Sequence, residues 1–181
     1  MSLAAAGTVV ARQTVLAAPA ADPAVLVAYY SRTGNTRVLA DQIRRGRSGS
    51  LFEIKLATPY PEDYFTTVAQ AAAETKSGFL PRLLQVVADI QSYDTIFLGF
   101  PIWGMTAPPV IRAFLAAHDF SGKKVVPFIT HGGYGVGDSL SVLRTHAPNA
   151  DFQPEFVMEA DQERRTLEAV STWLDTGPST D

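Results

Sequence analysis

Six consecutive residues, Ser31-Arg32-Thr33-Gly34-Asn35-Thr36, gather three hydroxyls, an amide and a flexible glycine at one point of the chain. Placed between a buried strand and the first turn of a helix, such a segment presents side-chain donors and backbone N–H groups to one anion. The helix dipole adds to the attraction. It is a phosphate cradle that needs no lysine. Ser, Thr and Asn are also the residues that helix N-termini prefer as caps, so a capped helix start is the alternative. Arg32 either pairs with the phosphate or points to solvent.

A second segment, Pro101-Ile102-Trp103-Gly104-Met105, sets large apolar side chains on a loop tip. Their exposure costs free energy unless something covers them. A flat aromatic ligand would do so, and Gly104 would let its backbone come close to one. The alternative is a loop folded back on the core. The third segment is Thr130-His131-Gly132-Gly133-Tyr134-Gly135-Val136-Gly137. Four glycines around one tyrosine suggest close backbone approach with a single stacking side chain. His131 is either a hydrogen-bonded structural group or a proton donor. No side chain in the three loops is a convincing acid or nucleophile, and the three histidines lack a metal-ligand spacing.

Other nucleotide motifs fall away. No G-x-x-x-x-G-K-[ST] is present, and no G-x-G-x-x-G follows the first strand. A receiver domain would want carboxylates at the ends of the first and third strands, where this chain has Tyr30 and Phe100.

These loops need elements to position them. Val25–Tyr30 is a continuous apolar run, as a strand buried on both faces of a parallel sheet requires. A helix follows over Thr36–Arg45, with Leu39 and Ile43 one turn apart and Gly46 closing it. Leu51–Ala57 alternates in part and reads as an edge strand. An alanine-rich helix is predicted over Tyr64–Lys76, and a further helical stretch over Leu83–Ile90. Tyr93–Gly99 is the third strand, and Pro108-Pro109 open a helix with core pairs Val110/Phe114 and Ile111/Leu115. Lys124–Thr130 is the fourth strand; Pro127 breaks a ladder bond there, so a bulge is expected. A helix over Asp138–Thr145, a strand over Phe152–Met158 and a helix over Asp161–Leu174 complete the chain. The last helix has Leu167, Val170 and Leu174 on its apolar face, with Trp173 beside them.

This alternation implies right-handed βαβ units in a doubly wound, five-stranded parallel sheet of order 2-1-3-4-5, a three-layer αβα architecture. Ligands in such sheets sit beyond the carboxyl ends of the strands, at the topological switch point. The three loops lie there.

A chain of 181 residues with 46% hydrophobic content is about one domain long. With no cysteine it has no disulfide, thiolate or iron–sulfur chemistry. A net charge of -3 without a long basic run argues against nucleic acid, and no apolar run reaches the ~20 residues of a membrane span. Residues 1–23 are rich in alanine, valine and threonine, with Val15-Leu16-Ala17-Ala18-Pro19-Ala20 as a small-residue exit. They read as a disordered leader or as the remnant of an export signal without its charged start. The protein is then cytoplasmic, or exported if the leader is a signal. The folded domain is expected over residues 24–175, with a tail at 176–181.

Four stretches occur in order: Y-Y-S-R-T-G-N-T, T-P-Y-P-E-D-Y, Y-D-T-I-F-L-G-F-P-I-W-G and F-I-T-H-G-G-Y-G-V-G-D-S. Together they resemble the bacterial short-chain flavodoxin-like family, over residues 24 to about 174. The resemblance implies a flavodoxin-like fold and FMN as cofactor. It implies that Ser31, Thr33, Gly34, Asn35 and Thr36 hold the phosphate, with Arg32 adjacent. Pro101, Ile102, Trp103, Gly104 and Met105 would pack along the isoalloxazine. Thr130, His131, Gly132, Gly133, Tyr134 and Gly135 would flank its other side. Two features depart from the family: many relatives have two consecutive tryptophans where Gly104 follows Trp103 here, and flavodoxin carriers are typically strongly acidic. Three functions follow: electron transfer with a redox partner protein, an FMN-dependent NAD(P)H:quinone-type oxidoreductase using a small-molecule acceptor, and a scaffold of the same fold without flavin.

Overall fold

The computed structural model describes residues 24–159 and 163–176. The leader expected over 1–23, residues 161–162 of the last predicted helix, the side chain of Leu167, and the tail beyond Thr176 lie outside the described residues.

Three strands form the centre: β1 (Val25–Tyr29), β3 (Thr95–Pro101) and β4 (Lys124–His131). They pair in parallel, with Leu26 opposite Ile96 and Ile96 opposite Val125. β2 (Ser50–Glu53) forms the edge beside β1. On the other side of β4 the fifth position is filled by two short segments, β5 (Asp151–Phe152) and β6 (Phe156–Glu159). The order is 2-1-3-4-5, as the alternation of elements requires.

Strand side chains alternate between two faces, and each face has its own core. Leu26, Ala28, Ile96, Leu98 and Phe100 pack with Val110, Ile111 and Phe114 of α3 (Pro109–Ala116) and Leu143 of α4 (Ser139–His146). Val27, Tyr29, Phe97, Val126 and Phe128 pack with Leu39, Ala40 and Ile43 of α1 (Asn35–Arg47) and Val170 and Leu174 of α5 (Glu163–Thr176). α3 opens on Pro109, where a missing N–H costs nothing. The remaining helix, α2 (Tyr64–Ser77), starts at Asp63, whose carboxylate accepts from Thr66 N at 2.8 Å, and stops at Gly78 in the left-handed region.

Four expectations are corrected. Leu83–Asp89 is not helical, and Ile90 only opens a short 3-10 turn (Ile90–Ser92): Ala57 N donates to Arg82 O and Leu84 N to Lys55 O, so the segment bridges the chain after β2. Arg82 O and Val87 N, which donates to His118 Nε2 at 2.9 Å, are backbone groups that a helix there would need. Pro127 causes no bulge; Leu98 pairs with Pro127 and Gly99 with Phe128 in unbroken register. Val125 O accepts from Gln153 N, so alternation turns the nitrogen of Pro127 toward the same neighbour, at the gap between β5 and β6. The ladder break therefore falls on the fifth strand, where Pro154 also lacks an N–H. This splits the strand expected over Phe152–Met158. Finally, Gly46 does not close α1, which runs on to Arg47 with Ser48 as a left-handed cap. The glycine instead makes room for Leu174.

Gly99 faces the ring of Phe128, which occupies the space a Cβ would need. Gly99→Ala should therefore destabilise the fold by about 1–3 kcal/mol through overpacking. Urea unfolding measures it, and an unchanged midpoint would contradict this packing.

Candidate functional site

The loop after β1 enters α1 through Gly34, which has φ 101° and must be glycine to turn there without strain. Ser31 Oγ accepts from Gly34 N at 3.1 Å, and the first helical bond runs from Val38 N to Gly34 O. No side chain caps α1, and its first turn contains no acidic residue. The predicted hydroxyls are therefore present at the helix start without serving as its cap. The positive end of the helix dipole stays open.

Thr36, 1% exposed, shares a hydrogen bond with the likewise buried Thr130, 4% exposed, at 3.0 Å between hydroxyls. That bond brings the end of β4 against the start of α1. Around it lies a cavity of about 100 Å³, lined by Ser31, Thr33, Asn35 and Thr36 from the first loop, Pro101 and Ile102 from the end of β3, and Thr130, His131 and Gly132 from β4 and its loop. Among the described residues no carboxylate lines it. Arg32 also borders the cavity, but its guanidinium donates to Glu62 O at 2.8 Å and lies 5.6 Å from the Tyr64 ring centre.

The second and third loops are tied at base and tip. Ile102 N donates to Thr130 O at 2.8 Å, and Asp138 N to Met105 O at 3.0 Å. Gly137 packs on the Met105 carbonyl, where no side chain fits. Trp103 and Thr106 exchange backbone bonds around Gly104 (φ 58°) and Met105 (φ 63°), two left-handed residues in a tight turn. For methionine that conformation is strained. Its side chain stays 48% exposed.

Trp103 is half-buried and meets the rings of Tyr30 and Tyr60 edge-to-face, at 5.6 Å and 5.0 Å between centres. The folded-back alternative thus describes Trp103, whereas Met105 faces water. In the third loop, His131 Nδ1 accepts from Gly133 N at 3.0 Å and from Gly135 N at 3.4 Å. This fixes the proton of the neutral ring on Nε2 and gives the histidine a structural task. Gly133 and Gly135 have positive φ, and between them Tyr134 is 83% exposed.

Burial pushes the Tyr30 phenol from 10 up to about 12, against the opposing pull of Arg32. Tyr60 is raised further, first by burial and then by the Glu74 carboxylate, which accepts a hydrogen bond from its hydroxyl at 2.7 Å. Both phenols are neutral anchors for Trp103.

Sequence reading missed the part that α2 plays. One face of this helix and the second loop enclose a cavity of about 580 Å³ that borders the smaller one at Arg32, Thr33, Pro101 and Ile102. Its signal was legible in the spacing of Tyr64, Val68, Ala72 and Lys76. Among the described residues no helix is long and apolar enough to cross a membrane.

A family model described as flavodoxin matches residues 24–177. A protein from Bacteroides eggerthii, provisionally assigned as a flavoprotein, is 32% identical over 85% of this chain and 97% of its own, with a TM-score of 0.73. A similarly assigned protein from Bacteroides uniformis is 28% identical over 83% and 99% of the two chains, also at 0.73. A Lactobacillus acidophilus flavoprotein solved in complex with FMN is 22% identical over 81% and 99%, with a TM-score of 0.65. No curated protein matches the chain.

The raised Tyr30 pKa makes stability depend on alkaline pH. Its contribution is complete below 10, where an unfolded phenol keeps its proton, and is lost as pH rises from 10 through about 12. Unfolding midpoints measured across this window should fall less steeply for Tyr30→Phe than for the wild type. Equal slopes would contradict the buried, neutral phenol.

Proposed function

The chain belongs to the flavodoxin family, and on that footing we propose that it binds FMN non-covalently and transfers electrons through it. The observation that carries this reading is the uncapped N-terminus of α1, open to a cavity where all three loops converge and which no carboxylate lines among the described residues. Backbone N–H groups and the helix dipole there favour an anion of phosphate type. FMN bound to one structural relative supports the choice of cofactor.

In this reading Ser31, Thr33, Gly34, Asn35 and Thr36 hold the phosphate. Arg32, fixed by Glu62 O, adds positive potential from the rim. Pro101, Ile102, Trp103, Gly104 and Met105 line one side of the ring, and Thr130, His131, Gly132, Gly133, Tyr134 and Gly135 the other. The N–H groups of Gly104 and Met105 make no hydrogen bond among the described residues, so they can serve polar atoms at the ring edge. The exposed Tyr134 and Met105 lose their contact with water by covering a flat ligand. Trp103, pinned by two tyrosines, holds the path of the second loop. FMN supplies the redox chemistry when bound; the protein supplies position and electrostatics.

A second reading, reduction of a small-molecule acceptor rather than a partner protein, is favoured by the larger cavity beside the second loop. The modest net charge of -3 agrees with it, because a carrier that meets basic partners gains from a strongly acidic surface.

Purified protein soaked in FMN and desalted should retain flavin absorption bands. Thr33 is exposed, so Thr33→Ala spares the core. It should weaken FMN binding by about 1.5–3 kcal/mol, roughly ten- to hundredfold. A colourless protein that leaves FMN fluorescence unquenched would overturn the proposal. Unchanged affinity in Thr33→Ala would overturn the phosphate assignment.

A further inference from the structure

Of the 14 residues of α2 only Thr67 and Ala71 are buried. At about 100° per residue, the side opposite those two carries Phe65, Ala69, Ala72, Ala73 and Lys76. A helix face turned to water normally bears charged and polar side chains. This one bears a phenylalanine, three alanines and a lysine, all exposed. The Phe65 ring meets that of Tyr64 edge-to-face at 5.4 Å and is still 78% exposed. Phe79 and Leu80, directly after the cap at Gly78, are 55% and 41% exposed and extend the apolar surface. Covering such a surface gains free energy. Phe65, Ala69 and Ala73 lie outside the lining of both cavities at the candidate site.

Two opposite charges flank this face. Lys76 stands in the last turn and Glu62 just before the N-cap Asp63. Neither side chain makes a hydrogen bond or ion pair among the described residues. They are about 20 Å apart along the axis, too far to meet within one chain. A second copy of α2 running antiparallel brings each Lys76 beside the other copy's Glu62. A parallel copy would instead set like charges together at both ends. Glu74, the remaining charged residue of the helix, is turned back to Tyr60 and Gln70 and stays out of the contact. Antiparallel alignment also opposes the two helix dipoles favourably.

We infer that α2 docks on α2 of a second copy of this chain, antiparallel about a two-fold axis near Ala69. Such an axis makes one patch complementary to itself. Phe65 lies against the partner's Ala73, and Lys76 meets the partner's Glu62. The alanines let the helices approach to about 8 Å, crossing at roughly 20° so that their charged ends stay within reach. A 14-residue helix is about 21 Å long, so the contact falls at the small end of specific interfaces, below about 1,200 Å². Its strength is therefore micromolar rather than nanomolar. The inference does not rest on the flavin reading.

Sedimentation equilibrium of the full chain, with and without FMN, should show a monomer–dimer exchange of about micromolar dissociation constant in both samples. Phe65→Glu should raise that constant at least about tenfold while leaving the thermal midpoint unchanged, because the side chain is exposed. Lys76→Glu and Glu62→Lys should each weaken the dimer by about three- to tenfold. Combining the two substitutions should restore it to within about threefold of the wild type, which only the antiparallel register explains. The chain has no cysteine, so Ala69→Cys carries a single thiol. Mild oxidation should give a covalent dimer of Ala69→Cys and none of Ser141→Cys, on the exposed side of α4. A chain that stays monomeric at every concentration would overturn the inference. So would a dimer indifferent to Phe65→Glu, or a charge swap that restores nothing. A dimer with this pattern in a chain that binds no FMN would remove the flavin reading alone.

Discussion

The hydrogen bond between the hydroxyls of Thr36 and Thr130 joins residues 94 positions apart, in the first turn of α1 and at the end of β4. Both side chains are buried, so losing one partner would leave the other unsatisfied at a cost of about 1–3 kcal/mol. The bond holds a helix N-terminus, with its open dipole, against the carboxyl edge of the sheet. Thr130 also accepts Ile102 N through its carbonyl. One residue therefore anchors all three loops, and the small cavity they share exists because of it.

Above this rigid base the loops become progressively freer. Trp103 is held by Tyr30 and Tyr60, and His131 spends Nδ1 on two glycine N–H groups. At the tips, Met105 and Tyr134 are exposed, in or beside left-handed turns. A fixed floor with adaptable apolar tips suits a ligand that has a charged end and a flat body. Strain at Met105 persists because its carbonyl is locked to Asp138 N and packed by Gly137.

Much of this was legible in the residues. The apolar runs at Val25–Tyr30 and Tyr93–Gly99 could be little else than buried parallel strands, and Pro108-Pro109 marked the start of α3. Leu83–Ile90 misled because its apolar spacing suits a helix, while Leu84 N bonds to Lys55 O, 29 positions back, and Val87 N to His118. Pro127 misled for a related reason: the gap that accommodates its missing N–H lies on the neighbouring strand. The inward packing of Trp103 depends on Tyr60, more than forty residues away, and no local pattern encodes it. The same holds for α2, whose face could be read while the loop opposite it could not.

The central claim is that the site is organised around an anion at the start of α1. Comparing the affinities of FMN and riboflavin tests it directly, because the two ligands differ only in the phosphate. With several charge-assisted bonds worth about 1.5–3 kcal/mol each, FMN should bind roughly a hundredfold or more tightly than riboflavin. Equal affinities would show that the cradle holds no phosphate and would contradict the account.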